Sequence, residues 1–227
     1  VPEDHWHDKQ GVYAGFVKTL ADDEESQLLA IPRKQRAEVR KGLANELTVR
    51  VGTGKQDRAD HYAVYAESVR NLGTPVFPKA LFDEVLDGFG DDADILTVLH
   101  EGQPVASVLS LYHKQTVLPY WGGGTWAARR FRANDIMYYS LMNHARERGC
   151  QAFDFGRSKY GTGAFSFKKN WGFEPQPLSY ATRTAEGEEA RDVNPMSPKY
   201  RAQVAVWQRL PLAVANRIGP MIAKGLG

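Results

Sequence analysis

The residues best equipped for chemistry gather in one stretch, from Phe153 to Phe173. A short apolar strand over 152–155 runs into a glycine-punctuated turn. Arg157, Lys159, Lys168 and Lys169 cluster beyond it, interleaved with Tyr160, Phe165, Phe167 and Trp171. In an open α/β sheet, ligands bind outside the carboxyl ends of the strands. Cations at that place suit an anionic substrate, or the oxyanion that develops when an acyl group is transferred. Asp154 alternates with Phe153 and Phe155, so its side chain faces the other side of the sheet. A pair with Arg157 is the expected use of that carboxylate, and general-base duty the rarer one.

Three more groups carry chemical potential. Pro119 to Thr125 reads Pro-Tyr-Trp-Gly-Gly-Gly-Thr: Tyr120 and Trp121 offer stacking surfaces, and bare backbone from Gly122 lets a ligand approach closely, with a flexible strand exit as the plainer alternative. Arg33, Lys34, Arg36, Arg40 and Lys41 share a predicted helix that carries only Glu38 in opposition. That face can meet a phosphate backbone, or simply be solvated. Arg129, Arg130 and Arg132 either grip a phosphate through side chains or form an exposed basic loop. Among six histidines, His100 falls in a hairpin, His113 in a turn and His144 on a helix, and no Ser–His–Asp or Cys–His set stands out. His5 and His7 have no carboxylate or Cys/His partner at ligand spacing, so no metal site is expected. The single Cys150 excludes an internal disulfide and follows a helix-ending glycine, as a buried inert thiol would. Direct displacement fits this inventory better than a covalent enzyme intermediate: the protein positions an amine against an activated ester and stabilises the oxyanion.

The elements that must hold these residues follow from periodicity. Pro32 suits a first helical position, and the helix ends near Gly42. Leu47, Val49 and Val51 alternate as in a strand. Tyr62, Tyr65, Val69 and Leu72 fall at helical spacing, and so do Leu81, Phe82, Val85, Leu86 and Phe89, opened by Pro78 and stopped by Gly88 and Gly90. Strands over 95–100 and 105–112 form a hairpin about Glu101-Gly102, and a third strand spans 116–121. A helix from an N-cap Asn134 to Gly149 then leads to the strand at 152–155, with Tyr138, Leu141, Met142 and Ala145 inward. A last core strand carries Leu178, Tyr180 and Thr182. The crossover helix makes the strands at 116–121 and 152–155 parallel in an otherwise antiparallel set, so the class is α/β (α+β) with a mixed central sheet and flanking helices.

Composition sets the outer bounds. The chain has 227 residues, 42% hydrophobic and 25% charged, which suffices for a core without staples. A net charge of +2 gives no whole-chain argument for nucleic acid. No run reaches the roughly 20 apolar residues of a membrane span. In the tail, Trp207, Leu210, Leu212, Val214, Ile218, Met221 and Ile222 are interleaved with Arg209, Arg217 and Lys224, and Pro211 and Pro220 are expected to break it into short helices. Such a segment either lies in a membrane interface or packs on protein; the prolines favour packing.

Taken together, the segment 153–173, the run Pro119–Thr125, the helix Asn134–Gly149 and the basic opening Ile31–Gly42 resemble the second domain of FemAB-type proteins, peptidyl and aminoacyl transferases whose domains have the GNAT acyltransferase fold. The similarity runs from about Ile31 onward and is nearest to the FemAB-related group associated with PEP-CTERM/exosortase systems, which also has a tail like 194–227. It implies a GNAT-like fold over 31–185, a linker and helical tail over 186–227, and residues 1–30 as the end of a first GNAT-like domain that is mostly missing, so that a site shared between two domains would be incomplete. The implied activity is N-acyl transfer, aminoacyl or other, to an amine of a cell-envelope or exopolysaccharide precursor. The implied partners are an acyl donor such as aminoacyl-tRNA, the precursor, and the missing domain; the implied location is cytoplasmic, with peripheral contact at the inner face of the membrane through the tail. In that family a Phe-Lys pair lies beside the transferred group, which puts Phe167 next to an adenosine or acyl moiety and Lys168 on the oxyanion. Tyr120, Trp121, Gly122, Arg157, Lys159, Arg36 and Arg40 are the expected substrate contacts. No cofactor is expected: the glycine-rich turn that would hold a CoA pyrophosphate reads Arg129-Arg-Phe-Arg-Ala-Asn134, without glycine. The rival reading is a non-catalytic module for an anionic glycan or RNA.

Overall fold

The computed structural model describes residues 6–183, 185 and 198–223. In chain order the elements are β1 (His7–Gly15), β2 (Val17–Thr19), α1 (Glu24–Leu29), α2 (Arg33–Leu43), β3 (Leu47–Gly52), α3 (Lys55–Leu72), α4 (Lys79–Phe89), β4 (Ala93–His100), β5 (Gln103–His113), β6 (Thr116–Gly124), α5 (Ala128–Phe131), α6 (Ala133–Glu147), β7 (Ala152–Asp154), β8 (Ser158–Lys159), α7 (Gly163–Asn170), β9 (Gln176–Thr182), α8 (Pro198–Gln208) and α9 (Leu212–Ala223).

Six strands form the main sheet in the order β2-β7-β6-β5-β4-β3. Its centre is two hairpins. The turns Glu101-Gly102 and Lys114-Gln115 each put two consecutive residues at positive φ, the twist that closes a two-residue hairpin. β4 is buried along nearly its whole length, because helices cover both faces. On one face Leu96, Val98, Ala106 and Val108 pack with Ile136, Met137 and Leu141 of α6. On the other, Ile95 and Leu109 pack with Phe82 and Leu86 of α4.

A bulge in β6 opens the sheet. Leu109 pairs with Trp121 and Ser110 with Pro119, which leaves Tyr120 as an extra, bulged residue. A bulge bends its strand, and Pro119 has no N–H to give a neighbour. The parallel pairing of β6 with β7 accordingly covers only Thr116–Ala152 and Val117–Phe153. Past that point the two strands splay, and the sheet opens into a cleft.

Two expectations need correction. The strand with Leu178, Tyr180 and Thr182 lies outside the main sheet; β9 joins β8 and β1 in a separate three-stranded sheet, antiparallel on β1. Residues 7–19 supply β1 to that sheet and β2 to the edge of the main one, where Val17 pairs with Asp154. Helix α6 begins at Ala133, with Arg132 in the left-handed region (φ 58°) at its N-cap, so Asn134 sits inside the first turn. Its side chain makes no cap and lies over β6 instead: Gly124 approaches so closely that a Cβ there would lie 2.4 Å from Asn134 Oδ1.

The tail lies on α3. Gln208 Nε2 donates to Asn71 O (3.0 Å) and Arg70 Nη1 to Gln208 O (3.2 Å). Pro211 separates α8 from α9, but Pro220 falls inside α9 rather than breaking it; it removes one N–H with only three residues left to wind. Val206, Val214, Met221 and Ile222 remain exposed. Gly73 makes the docking possible: it ends α3 at φ +84°, and a Cβ there would meet Val204 Cγ1 at 2.3 Å. Gly73→Ala adds that clash to a left-handed conformation costing a non-glycine residue about 1–2 kcal/mol. Its expected result is α8 released from α3: faster amide exchange over 202–208 by hydrogen-exchange mass spectrometry, with β4 and β5 unchanged. Equal protection of 202–208 in both proteins would refute this account of the docking.

Candidate functional site

The cleft at the β6/β7 splay encloses about 1010 Å3. β6 forms one wall with Leu118, Pro119, Tyr120 and Gly122–Gly124; Asp154 to Arg157, after β7, form the other. Asn134, Met137 and Tyr138 of α6 lie between them, α7 contributes Phe167 and Lys168, and Ser68, Asn71 and Leu72 of α3 reach the rim. Its charged residues are Arg129, Asp154, Arg157 and Lys168, a cationic balance.

Lys168 is fixed by position and by hydrogen bonds. Thr162 caps α7 by accepting from Phe165 N (3.3 Å), and the helix presents Lys168 to the exposed backbone after β7. There Nζ donates to Gly156 O (3.2 Å) and Arg157 O (3.0 Å). Burial pushes its pKa down to about 8, with the Asp154 carboxylate pulling the other way. Phe167 packs on Tyr138, ring centroids 5.6 Å apart. Tyr138 is itself pushed up to about 12 by burial and stays a neutral phenol, a donor over the ordinary pH range.

Arg157 reaches the cleft without the expected partner. Asp154 Oδ1 accepts instead from Gly156 N (2.7 Å), bracing its own turn. The Arg157 guanidinium lies over Tyr13 (5.0 Å) and Tyr180 (5.4 Å) and donates to Tyr180 Oη (2.9 Å). The small sheet is therefore the mount of this arginine: β1 and β9 each supply one tyrosine.

Of the residues singled out from sequence, Tyr120, Gly122, Arg157, Phe167 and Lys168 come together here. Trp121 does not; the bulge turns it to the opposite face, against Phe82 (5.3 Å). Lys159 lies on β8, paired with Tyr13. Arg36 and Arg40 lie on α2, where Arg36 donates to Leu29 O (2.9 Å); none of the three lines the cleft. The three glycines are paired strand, not a flexible exit. A Cβ at Gly123 would lie 2.2 Å from Ser68 Oγ, so their bareness lets α3 and α6 close on β6. Sequence reading missed Trp126, Asn134 and Tyr138 as cleft residues, while Arg129, one of the three arginines offered for a phosphate, lines the cleft. The glycine run carried the signal, because helices that close on bare strand bring their own side chains to its end. His61, also unremarked, is core: burial lowers its pKa to about 3, and Nδ1 meets Ser107 Oγ at 3.0 Å. Cys150 is buried as expected, its thiol pKa raised by burial. Among the described residues no group of three or more His, Cys, Asp or Glu is placed to hold a metal, and no helix is long and apolar enough to cross a membrane.

Comparison with known proteins gives the frame for this geometry. No curated protein sequence matches the chain. Among solved structures, FemX superposes with a TM-score of 0.69 at 14% identity, covering 79% of this chain and 66% of its own. The C-terminal domain of a putative lysylphosphatidylglycerol synthetase from Agrobacterium fabrum gives 0.60 at 17%, covering 78% and 61%. L-PGS from Bacillus licheniformis gives 0.58 at 14%, covering 91% and 67%. The chain thus spans about two thirds or less of the length of the first two, and at these identities the likeness is one of fold. Residues 32–169, more than half of the chain, match the acetyltransferase (GNAT) domain family, and the splayed mixed sheet agrees with that match: this chain belongs to the acetyltransferase (GNAT) domain family.

Proposed function

We propose that the cleft transfers an acyl group, aminoacyl in the FemAB-type reading, to an amine of a cell-envelope precursor. The observation that carries this is Lys168: a half-buried ammonium held by two backbone carbonyls in the opening of the sheet. The amine attacks the carbonyl carbon of an activated ester, and a C–N bond forms. The oxyanion of the tetrahedral intermediate is stabilised by Lys168, with the Tyr138 hydroxyl as a second donor facing the same space. The C–O bond then breaks, and the proton lost by the amine ends on the departing alcohol oxygen. Phe167 flanks the donor, and Arg157 on its tyrosine mount holds an anionic part of a substrate. Likeness of fold to FemX and to lysylphosphatidylglycerol synthetases favours an aminoacyl donor over others. Incubating the protein with aminoacyl-tRNA and amine-bearing envelope precursors, read by mass spectrometry, tests the proposal; a mass increase on the precursor that requires Lys168 is the expected result, and its absence with every donor would remove the reading.

The turn before α6 argues against CoA as the donor carrier. Its left-handed position, where glycine is favoured, is Arg132, and that side chain is tied to Glu38 (2.8 Å). A Cβ-bearing residue at the helix entry keeps a pyrophosphate away from the backbone N–H groups that would hold it. Calorimetry with acetyl-CoA is expected to give no saturable micromolar binding. A micromolar dissociation constant would overturn this part of the reading.

A further inference from the structure

Trp126 is the anomaly of the surface. It is 67% exposed, yet it is not loose. Its backbone N–H donates to Glu67 Oε1 (2.7 Å), and the Arg129 guanidinium stacks on its ring at 4.6 Å. An indole fixed in orientation and left open to water is a preorganised platform. Beside it lies a hollow of about 460 Å3 lined by Glu67, Arg70, Asn71, Trp126 and Gln208. Asn71 and Trp126 also line the main cleft, so the two spaces are continuous around the indole. Gln208 arrives from α8, which gives the docked tail a second consequence: it closes one side of the hollow.

We propose that this hollow is a carbohydrate subsite, in which the open face of Trp126 stacks a sugar ring while Glu67, Asn71 and Gln208 meet its hydroxyls. The lining decides the ligand class. Arg129 already covers part of the indole, and the hollow holds no second aromatic, so a nucleobase would lack the two-sided stacking it favours. A sugar ring asks for one aromatic face under its C–H groups and planar carboxylate, amide or guanidinium groups at its edge. All of these are present. A substrate occupying both spaces has its sugar on Trp126 and its reacting group toward Lys168. That alignment rests on the function proposed above; the subsite itself does not.

The test is saturation-transfer NMR on the full chain with N,N′-diacetylchitobiose and maltose as probes and adenosine as the flat-ring comparator. Saturation of ring protons of at least one disaccharide is expected, with its dissociation constant weakened about three- to tenfold in Trp126→Ala and largely restored in Trp126→Phe. Lys168→Ala should bind the same disaccharide unchanged, so sugar binding survives even where acyl transfer is not found. Circular dichroism of the exposed Trp126→Ala change checks that the fold is intact. The subsite is refuted if neither disaccharide receives saturation, if Trp126→Ala leaves binding unaltered, or if adenosine is captured in preference.

Discussion

Lys168→Ala is expected to lower turnover by roughly a hundred- to a thousandfold, the loss that follows removal of an oxyanion donor. The fold should tolerate the change. Burial lowers the lysine pKa to about 8, so the folded protein binds fewer protons than the unfolded chain between pH 8 and the ordinary lysine value. Stability therefore rises with pH across that window, which means that below pH 8 the buried ammonium is a net cost to folding. The two carbonyls that it serves, Gly156 O and Arg157 O, border the cleft and can turn to water when it goes. Lys168→Met should accordingly match or exceed the parent protein in melting temperature while losing the same activity. A residue that stabilises yet slows nothing when removed would be structural; the opposite pairing is expected here. The pH profile adds an independent check. An ammonium that stabilises an oxyanion loses its effect as pH rises through about 8, so turnover should fall on that limb. A neutral lysine acting as base would give the reverse slope, and unchanged turnover in a folded Lys168→Ala would end its role.

How much of this was legible in the sequence depends on whether the signal was local. The hairpins at 101–102 and 114–115, the helix stop at Gly149 and the crossover at α6 are written in consecutive residues, and they give the sheet order from β3 to β7. Phe167, Lys168 and Arg157 were legible for the same reason: they crowd past one strand end. Failures arose where one residue changes register or where distant segments meet. Alternation places Tyr120 and Trp121 on opposite faces, but only the bulge decides which of them lines the cleft. The basic helix residues Arg36 and Arg40 are close to the site in charge, not in space. Tyr13 and Tyr180 sit 167 positions apart in numbering, and nothing in either neighbourhood announces that their rings, 5.5 Å apart, will carry Arg157. The tail likewise shows amphipathic composition without showing its partner; the partner is a glycine, Gly73, whose missing side chain leaves no periodic trace.

The largest loss of stability is expected far from the cleft, at Asp94. This carboxylate begins β4 and is only 4% exposed. Tyr112 Oη donates to it at 2.9 and 3.0 Å, His144 Nε2 lies 2.8 Å away and Arg148 Nη1 3.4 Å. Arg148 also covers the Tyr112 ring at 4.0 Å and donates to Asp91 O. One acid therefore ties the start of β4 and the end of β5 to the C-terminal turn of α6, the same helix whose first turns carry Asn134 and Tyr138 into the cleft. Asp94→Ala leaves a phenol, an imidazole and a guanidinium around an empty acceptor site, and breaking a buried pair in this way costs about 3–5 kcal/mol. At about 2–4 °C per kcal/mol for a chain of this size, the melting temperature should drop by roughly 6–20 °C. Asp94→Asn keeps an acceptor of the same shape but loses the charge, so about half of that drop is expected. Because α6 pivots on this anchor, Asp94→Asn should also slow acyl transfer modestly by loosening Tyr138, whereas Lys168→Met slows it without destabilising. A melting temperature within 2 °C of the parent in Asp94→Ala would show that α6 is held by its apolar face alone, and that the polar anchor contributes nothing to the geometry of the cleft.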